Sequence, residues 1–521
     1  MPAPSDVSPT GIRREPPSPT PGPVGETPDG ACSQHEPPEA NYGPSMLSLS
    51  DFLVEHESEI LHIRRPVDLD DVGALTAQTS TPCRSDTVLF HELRGYEGWR
   101  LVDHLFVDRA AQARVLHCDP TEVVPSLVRV LEHGPRPLVE VDDALHHHRI
   151  LLGDDVDLGI LPIPTHTDRD PYPYCTNFAV HRDPETGQWN QMNPRCGVLG
   201  RREMVSSFVT PTANGILARH RATGTPMPQA IVIGAHPAWE LAGVYTHPHE
   251  GWWELELFEA ITGHPGEMVR CRTVDLMVPA DASAVIEGFV HPTRTAQDGP
   301  SPGPTMLFTP GPNQQPVFEV TAITISADPV MRNHQMTPFT DHQELPRLFH
   351  EAIIYRRLLG MGIGIRDVAF IQGGGALTCV IQVEPSIDGQ VTDALLQVMG
   401  SSFTNTKMVV AVDPDVDIYD YRDLMYAMAT RVDPARDVLI VPHTRGWVFD
   451  PSAQPLVGAL PNTESSRFPS LGSRWGVDAT KPVPYRSSER ERFERAWPKN
   501  WGRVDLADYL DPDSRPTTST S

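Results

Sequence analysis

No stretch of about 18 apolar residues occurs anywhere in the chain, so no transmembrane helix is expected. The N-terminus lacks a basic segment followed by an apolar one, which removes a secretory signal and leaves the cytoplasm as the expected location. No CxxC pair occurs among the seven cysteines (32, 83, 118, 175, 196, 271 and 379), so reduced thiols are expected rather than a disulfide framework or a zinc ribbon. The G-x-S-x-G elbow of serine hydrolases, the G-x-G-x-x-G fingerprint and the P-loop are absent, and Gly373-Gly374-Gly375 reads as a tight turn. Cations are scarce: 42 Lys and Arg against 68 Asp and Glu give a formal charge of −26, which argues against nucleic acid or a membrane surface as partner.

What is present suits a multidomain globular protein. At 521 residues with 39% hydrophobic content, the chain exceeds what one core usually serves. Residues 1–45 hold a dozen prolines among Ser, Thr, Gly and Glu, and are expected to be disordered. Order is expected to start at the capping signal Ser48-Leu49-Ser50-Asp51. From 46 to 165, short strands such as Leu61-His62-Ile63 alternate with helical stretches such as Pro125 to Glu132, giving a small α/β domain.

From 166 to 340 the chain is rich in strand-like runs, among them Ala230-Ile231-Val232-Ile233 and Ala284-Val285-Ile286. Helical stretches interrupt them near 212–222 and 254–262, and Gln297 to Pro304 reads as a loop. The expectation is a β-rich, barrel-like domain. From 341 to 450 helix and strand alternate regularly, as in a second α/β domain. Residues 451–521 read as a Pro- and Ser-rich tail with a charged helical stretch at Ser487 to Ala496.

Several polar clusters invite a chemical reading. Asp413-Pro414-Asp415-Val416-Asp417 opens like a calcium loop, but Ile418 and Leu424 stand where Gly and Glu are needed, so a strand-end acid cluster fits better. His249-Glu250-Gly251-Trp252-Trp253-Glu254 follows the zinc motif H-E-x-x-H until its last residue, which is Glu and one place late; Glu254 and Glu250 remain candidate hard-metal ligands. A metal hydrolase built on His249 and Glu254 would work without flavin. His146-His147-His148 reads as a polar surface stretch. Trp189 to Arg195 sets an amide oxygen, Asn190, five residues before a guanidinium, Arg195. Glu287 interrupts an apolar strand, where a buried charge needs a partner; the alternatives are a structural ion pair or exposure on an alternating face.

The chain resembles the UbiD family of prenylated-flavin-dependent decarboxylases. The likeness runs in collinear order from Ser50-Asp51-Phe52-Leu53 and Ile63-Arg64-Arg65-Pro66-Val67-Asp68, through 189–288, to Val412-Asp413-Pro414-Asp415-Val416-Asp417 and Gly476-Val477-Asp478-Ala479-Thr480-Lys481-Pro482. It implies an N-terminal α/β domain, a central split β-barrel that binds the flavin, and a C-terminal α/β domain that mediates homo-oligomerisation, as a dimer or larger.

Residue by residue, the resemblance implies Asn190 and Glu254 as metal ligands, Arg195 as the catalytic arginine and Glu287 as the catalytic acid. Asn190, Met192, Asn193, Pro194, Arg195 and Lys407 would bind the cofactor. It departs at three places. Thr212 falls where the family has its metal-binding His, with Asn214 nearby; Ser283 replaces the first Glu of A-E-I-V-L-E; and Gln297 to Gly303 replaces P-E-G-P-F-G-E. The resemblance implies prenylated FMN supplied by a flavin prenyltransferase, Mn²⁺ or Mg²⁺, K⁺ as a further candidate, and reversible decarboxylation of an aromatic or α,β-unsaturated acid. The alternative is a non-catalytic flavin- or metal-binding relative acting as a partner subunit.

Overall fold

The computed structural model describes residues 47–80, 86–208, 210–245, 251–309, 311–401, 406–447, 449–455, 470–499, 503–504 and 509. The Pro-rich segment 1–45 and the pair His249 and Glu250 lie outside the described residues. Among the described residues no helix is long and apolar enough to cross a membrane.

Ser48 caps the helix Leu49–Glu55. Its Oγ accepts from Asp51 N at 3.1 Å, and the Asp51 carboxylate accepts from Ser48 N in return. The first sheet joins Leu61–Ile63, Val88–Phe90 and Arg100–Asp103 to Val330–Arg332, which arrives from far along the chain. The first layer is therefore completed by residues that follow the barrel, and Arg332 is set beside Asp103.

The central sheet has nine strands, here β1 (Arg149–Leu152), β2 (Tyr174–Cys175), β3 (Ala179–Arg182), β4 (Trp189–Met192), β5 (Arg195–Val198), β6 (Glu203–Ser207), β7 (Met227–Ile233), β8 (Ala284–Asp298) and β9 (Asn313–Ile325). Their order is β2-β5-β6-β9-β8-β7-β3-β4, all antiparallel, with β1 on β9. Period-two alternation sends Met227, Ile231 and Ile233 into one core, with Met192, Ile286 and Phe318. Ala230 and Val232 enter the other, with Trp239 and Phe258. Strand β8 runs on to Asp298, so Gln297, expected in a loop, is still paired, with Gln314. His146, expected at the surface, is buried, its Nδ1 2.6 Å from Thr324 Oγ1.

The last sheet orders Gly364–Phe370, Thr378–Glu384, Met408–Val412, Ser470–Ala479 and Val438–Gly446, with helices Leu348–Gly360, Gln390–Met399 and Tyr421–Arg431. Ser470–Ala479, placed in the tail by composition, lies inside this sheet, between Met408–Val412 and Val438–Gly446. The helix expected over 487–496 is shorter: Ser487–Arg490, then a 3-10 turn, Glu491–Phe493. The acids after Met408–Val412 form an ion cluster, Asp413 with Arg431 (3.1 Å) and Arg490 (2.8 Å), Asp415 with Lys481 (2.7 Å).

Candidate active site

The barrel is split where one long hairpin comes apart. Tyr174 pairs with Gly197 and Cys175 with Cys196; further on, Ala179 pairs with Met192 and His181 with Asn190. Both ladders keep one register, so 174–182 and 189–197 are a single hairpin, unpaired across 176–178 and 193–195. Pro194 has no N–H to give. The facing residues turn to other elements instead: Thr176 Oγ1 donates to His334 O (3.2 Å), Asn177 Nδ2 to Arg332 O (2.9 Å), and Phe178 O accepts from Val232 N (2.9 Å). The stretch 189–195 thus flanks the opening, with Asn190 on one side and Arg195 on the other.

Arg195 is 8% exposed. Its Nη2 donates to Asp170 Oδ1, and the other oxygen of Asp170 accepts from the backbone N–H groups of His166 (3.2 Å) and Thr167 (3.0 Å). The guanidinium carbon lies 3.3 Å from the centre of the Tyr174 ring. Asp298 Oδ1 is 3.9 Å from Nη1 and accepts from Tyr174 Oη at 2.6 Å, while Asp298 Oδ2 accepts from Ser207 Oγ at 2.6 Å. Burial, then the Asp298 carboxylate, holds the Tyr174 phenol far above its usual range, so it stays protonated. Among the described residues Arg195 Nε and Nη1 have no hydrogen-bond partner. A buried guanidinium with spare donors is costly unless an anion meets it.

The other sequence candidates lie on several different elements. Asn190 is buried opposite His181, its Nδ2 without a hydrogen-bond partner among the described residues. Met192 packs in the barrel core, and Asn193 Oδ1 accepts from Gln191 Nε2 at 2.9 Å. Glu254 follows Trp253, whose ring stacks on Trp189 at 4.9 Å, so it neighbours β4. Glu254 Oε2 has no hydrogen-bond partner among the described residues, and burial pushes the carboxyl up to about 7. No hydrogen bond or ion pair joins Glu254 to Asn190 among the described residues. Thr212 is exposed in the first turn of the helix Pro211–Thr223. Lys407 pairs with Asp450 (3.0 Å) and Ser452 (2.5 Å), beside Phe449, whose carbonyl accepts from Thr305 Oγ1 in the β8–β9 connection (3.1 Å).

Glu287 is fully buried, but its carboxylate accepts from Arg272 N (2.9 Å), Thr273 N (2.7 Å) and Thr273 Oγ1 (2.9 Å). Among the described residues it shares no partner with Arg195. Two acids that sequence reasoning passed over, Asp170 and Asp298, are the ones beside the arginine. Both look like turn residues in the sequence, before Pro171 and before Gly299-Pro300.

A second polar layer lies behind. Arg332, wholly buried, pairs with Asp341 (2.6 Å), Glu240 (3.1 Å) and Asp103 (3.6 Å). His334 Nε2 is 3.3 Å from Glu240, and its ring is 6.4 Å from that of His342. Asn333 links this layer to His166 (3.1 Å). By their chemistry, though no contact joins them among the described residues, Asn190 and Glu254 would suit a hard cation carrying a flavin phosphate. Asn190 and Glu254 offer oxygen, and such a cation takes one or two protein oxygens and completes its shell from phosphate and water.

Residues 139–338 match the family model described as the 3-octaprenyl-4-hydroxybenzoate carboxy-lyase Rift-related domain, and 345–479 match its C-terminal domain. Anhydromevalonate phosphate decarboxylase of Methanosarcina mazei is 27% identical over 456 residues, covering 86% of this chain and 99% of the relative. The UbiD-class enzyme HmfF from Pelotomaculum thermopropionicum, solved with FMN, superposes with a TM-score of 0.79 at 30% identity, over 89% of this chain and all of that one. An evolved dimeric form of HmfF, solved with prFMN, gives a TM-score of 0.75 at 28% identity, again over 89% of this chain and 100% of that one. Fold, family models and full-length likeness agree: the chain belongs to the UbiD family of carboxy-lyases and is a decarboxylase.

Proposed function

We propose that the chain is a reversible, non-oxidative decarboxylase of an aromatic or α,β-unsaturated carboxylic acid, working with prenylated FMN and Mn²⁺ or Mg²⁺, with K⁺ as a further candidate. A separate flavin prenyltransferase supplies the cofactor. The observation that carries this reading is Arg195: buried, braced by Asp170 and the Tyr174 ring, with Asp298 3.9 Å from Nη1, and with Nε and Nη1 making no hydrogen bond among the described residues. Asp170 engages one nitrogen through one oxygen, so donors remain for a substrate carboxylate.

Loss of CO₂ from an sp² carbon leaves an electron pair that no side chain can delocalise, and a flavin-derived cofactor supplies that sink. The chain's own residues do the rest. Arg195 orients the carboxylate. Asn190 and Glu254, with Thr212 as a weaker third, would hold the cation. Met192, Asn193 and Pro194 would border the flavin, and Lys407 would meet its phosphate after leaving Asp450. A carboxyl must return a proton to the carbon that loses CO₂. Glu287 is one candidate; Asp298, 3.9 Å from Arg195, is better placed.

The complexes of HmfF with FMN and prFMN support the cofactor, and the name of the Methanosarcina relative supports an unsaturated, non-aromatic acid as one option. A cytoplasmic location and a homodimer or larger homo-oligomer belong to the same reading, the latter supported by the dimeric form of HmfF. The non-catalytic partner subunit expected as the alternative does not stand beside a decarboxylase; what departs from the family's pattern is an exposed Thr212 at the position of its His. The test is protein co-expressed with a flavin prenyltransferase and assayed across an acid panel. Flavin absorbance with CO₂ release supports this reading; bound flavin without CO₂ release or H/D exchange from any aromatic or α,β-unsaturated acid contradicts it.

A further inference from the structure

Tyr174 meets two charged groups with different parts of one buried side chain. Its ladder partner is Gly197, where a Cβ would stand 2.8 Å from Tyr174 Cε1, so the glycine leaves the room that the ring occupies. The ring centre is 3.3 Å from the guanidinium carbon of Arg195. A carbon that close must lie over the ring face, and such stacking uses none of the in-plane N–H donors of the arginine. The hydroxyl at the far end of the ring donates to Asp298 Oδ1 at 2.6 Å, and Ser207 Oγ donates to Oδ2 at 2.6 Å. Hydroxyls therefore hold both oxygens of Asp298. The phenol keeps its proton, because burial and then Asp298 raise it far above its usual range.

Held in this way, Asp298 Oδ1 stops 3.9 Å from Arg195 Nη1, outside hydrogen-bond range. Charge-assisted pairs of this kind settle at about 2.8 Å, so a carboxylate released from the phenol closes on the arginine by moving about 1 Å. Asp170 already takes Nη2. A second acid on Nη1 would then occupy the donor that a substrate carboxylate needs. We propose that Tyr174 is a positioning residue for the decarboxylation: its hydroxyl holds Asp298 off Arg195, and its ring braces the guanidinium without occupying a donor. The inference rests on the reading of Arg195 as the carboxylate site, and it holds whichever carboxyl returns the proton.

The test is calorimetric titration of benzoate and of 3-methylbut-2-enoate into enzyme loaded with FMN in place of its prenylated form, so that binding is read without turnover. Tyr174→Phe keeps the ring and removes the hydroxyl, and at least one of the acids is expected to bind it about tenfold more weakly. Neutralising the acid that has closed on the arginine then restores binding: Tyr174→Phe combined with Asp298→Asn is expected within about threefold of the wild type. That rescue separates holding from packing, since a side chain that serves only the fold is not repaired by loss of a neighbouring charge. Ser207→Ala frees the other oxygen of Asp298 and is expected to weaken binding in the same sense, again relieved by Asp298→Asn. It serves alone should Tyr174→Phe fail to fold. A folded Tyr174→Phe that binds like the wild type, or a loss that Asp298→Asn leaves in place, overturns the inference. Acids that fail to bind the wild type, or that bind Arg195→Ala equally well, overturn the Arg195 reading, and this inference with it.

Discussion

Asp170 holds Arg195 through one carboxylate oxygen and the turn at His166 and Thr167 through the other. One side chain thus fixes both the direction of the guanidinium and the loop that covers it. Asp170→Asn weakens the charge-assisted bond and keeps the shape. Steady-state kinetics should show kcat/KM lowered about 10- to 100-fold, with KM raised, because the arginine is less well oriented. Unchanged kinetics would show that Arg195 needs no brace.

Two carboxyls compete for the proton that replaces CO₂, and their surroundings separate them. Asp298 lies beside Arg195, whereas Glu287 is tied to residues 272–273. Asp298→Asn should lower kcat by at least about 100-fold with the fold intact, as loss of a general acid does. Glu287→Gln should mainly lower stability, since an amide nitrogen cannot accept from both Thr273 groups. The reverse pattern, in paired kinetic and urea-melt measurements, returns the acid role to Glu287.

The structure also explains which of these residues the sequence made visible. The capping box at Ser48 and the strand-like run Ala230-Ile231-Val232-Ile233 are local patterns, and each formed where the pattern put it. Val330–Arg332 and Ser470–Ala479 were hidden because pairing with distant strands, not composition, makes them strands. Asn190 and Arg195 stood out by their five-residue spacing. Asp170, Asp298 and His166 did not, because only the splayed hairpin and the long β8 strand bring them to the arginine.

Arg332 neutralises two buried acids, Asp341 and Glu240, with no solvent to replace it. Arg332→Met leaves both charges uncompensated and should cost about 3–5 kcal/mol in urea unfolding. A loss under about 1 kcal/mol would mean that the acids take up protons without strain.

Acid should destabilise the fold. Burial pulls His146, His166, His236 and His350 to about 3 and His181 and His342 to about 4. Below about pH 6.5 their unfolded counterparts bind protons that the folded ones refuse, so their contribution to stability is lost as pH falls. Glu254, Asp281 and Glu344, pushed to about 7, and Asp103, also raised, act in the opposite sense, favouring the fold at low pH. The histidines outnumber them, so urea midpoints should fall between pH 6.5 and 5. Flat or rising midpoints would contradict this balance.

If Glu254 helps to hold a cation that carries the flavin phosphate, chelation and Glu254→Ala should act alike. Dialysis of the loaded protein against EDTA should release flavin as metal leaves, followed by absorbance and elemental analysis. Flavin retained in full after the metal is gone would remove Glu254 and Asn190 from cofactor binding.

The most direct test of the whole account is solvent deuterium exchange into a turned-over acid, comparing loaded wild type with loaded Arg195→Ala at equal flavin content. The account predicts deuterium at the former carboxyl carbon with CO₂ release in the wild type, and loss of both by at least about 1000-fold in the variant, since orientation of the carboxylate depends on this one side chain. Equal exchange in the two proteins would contradict it.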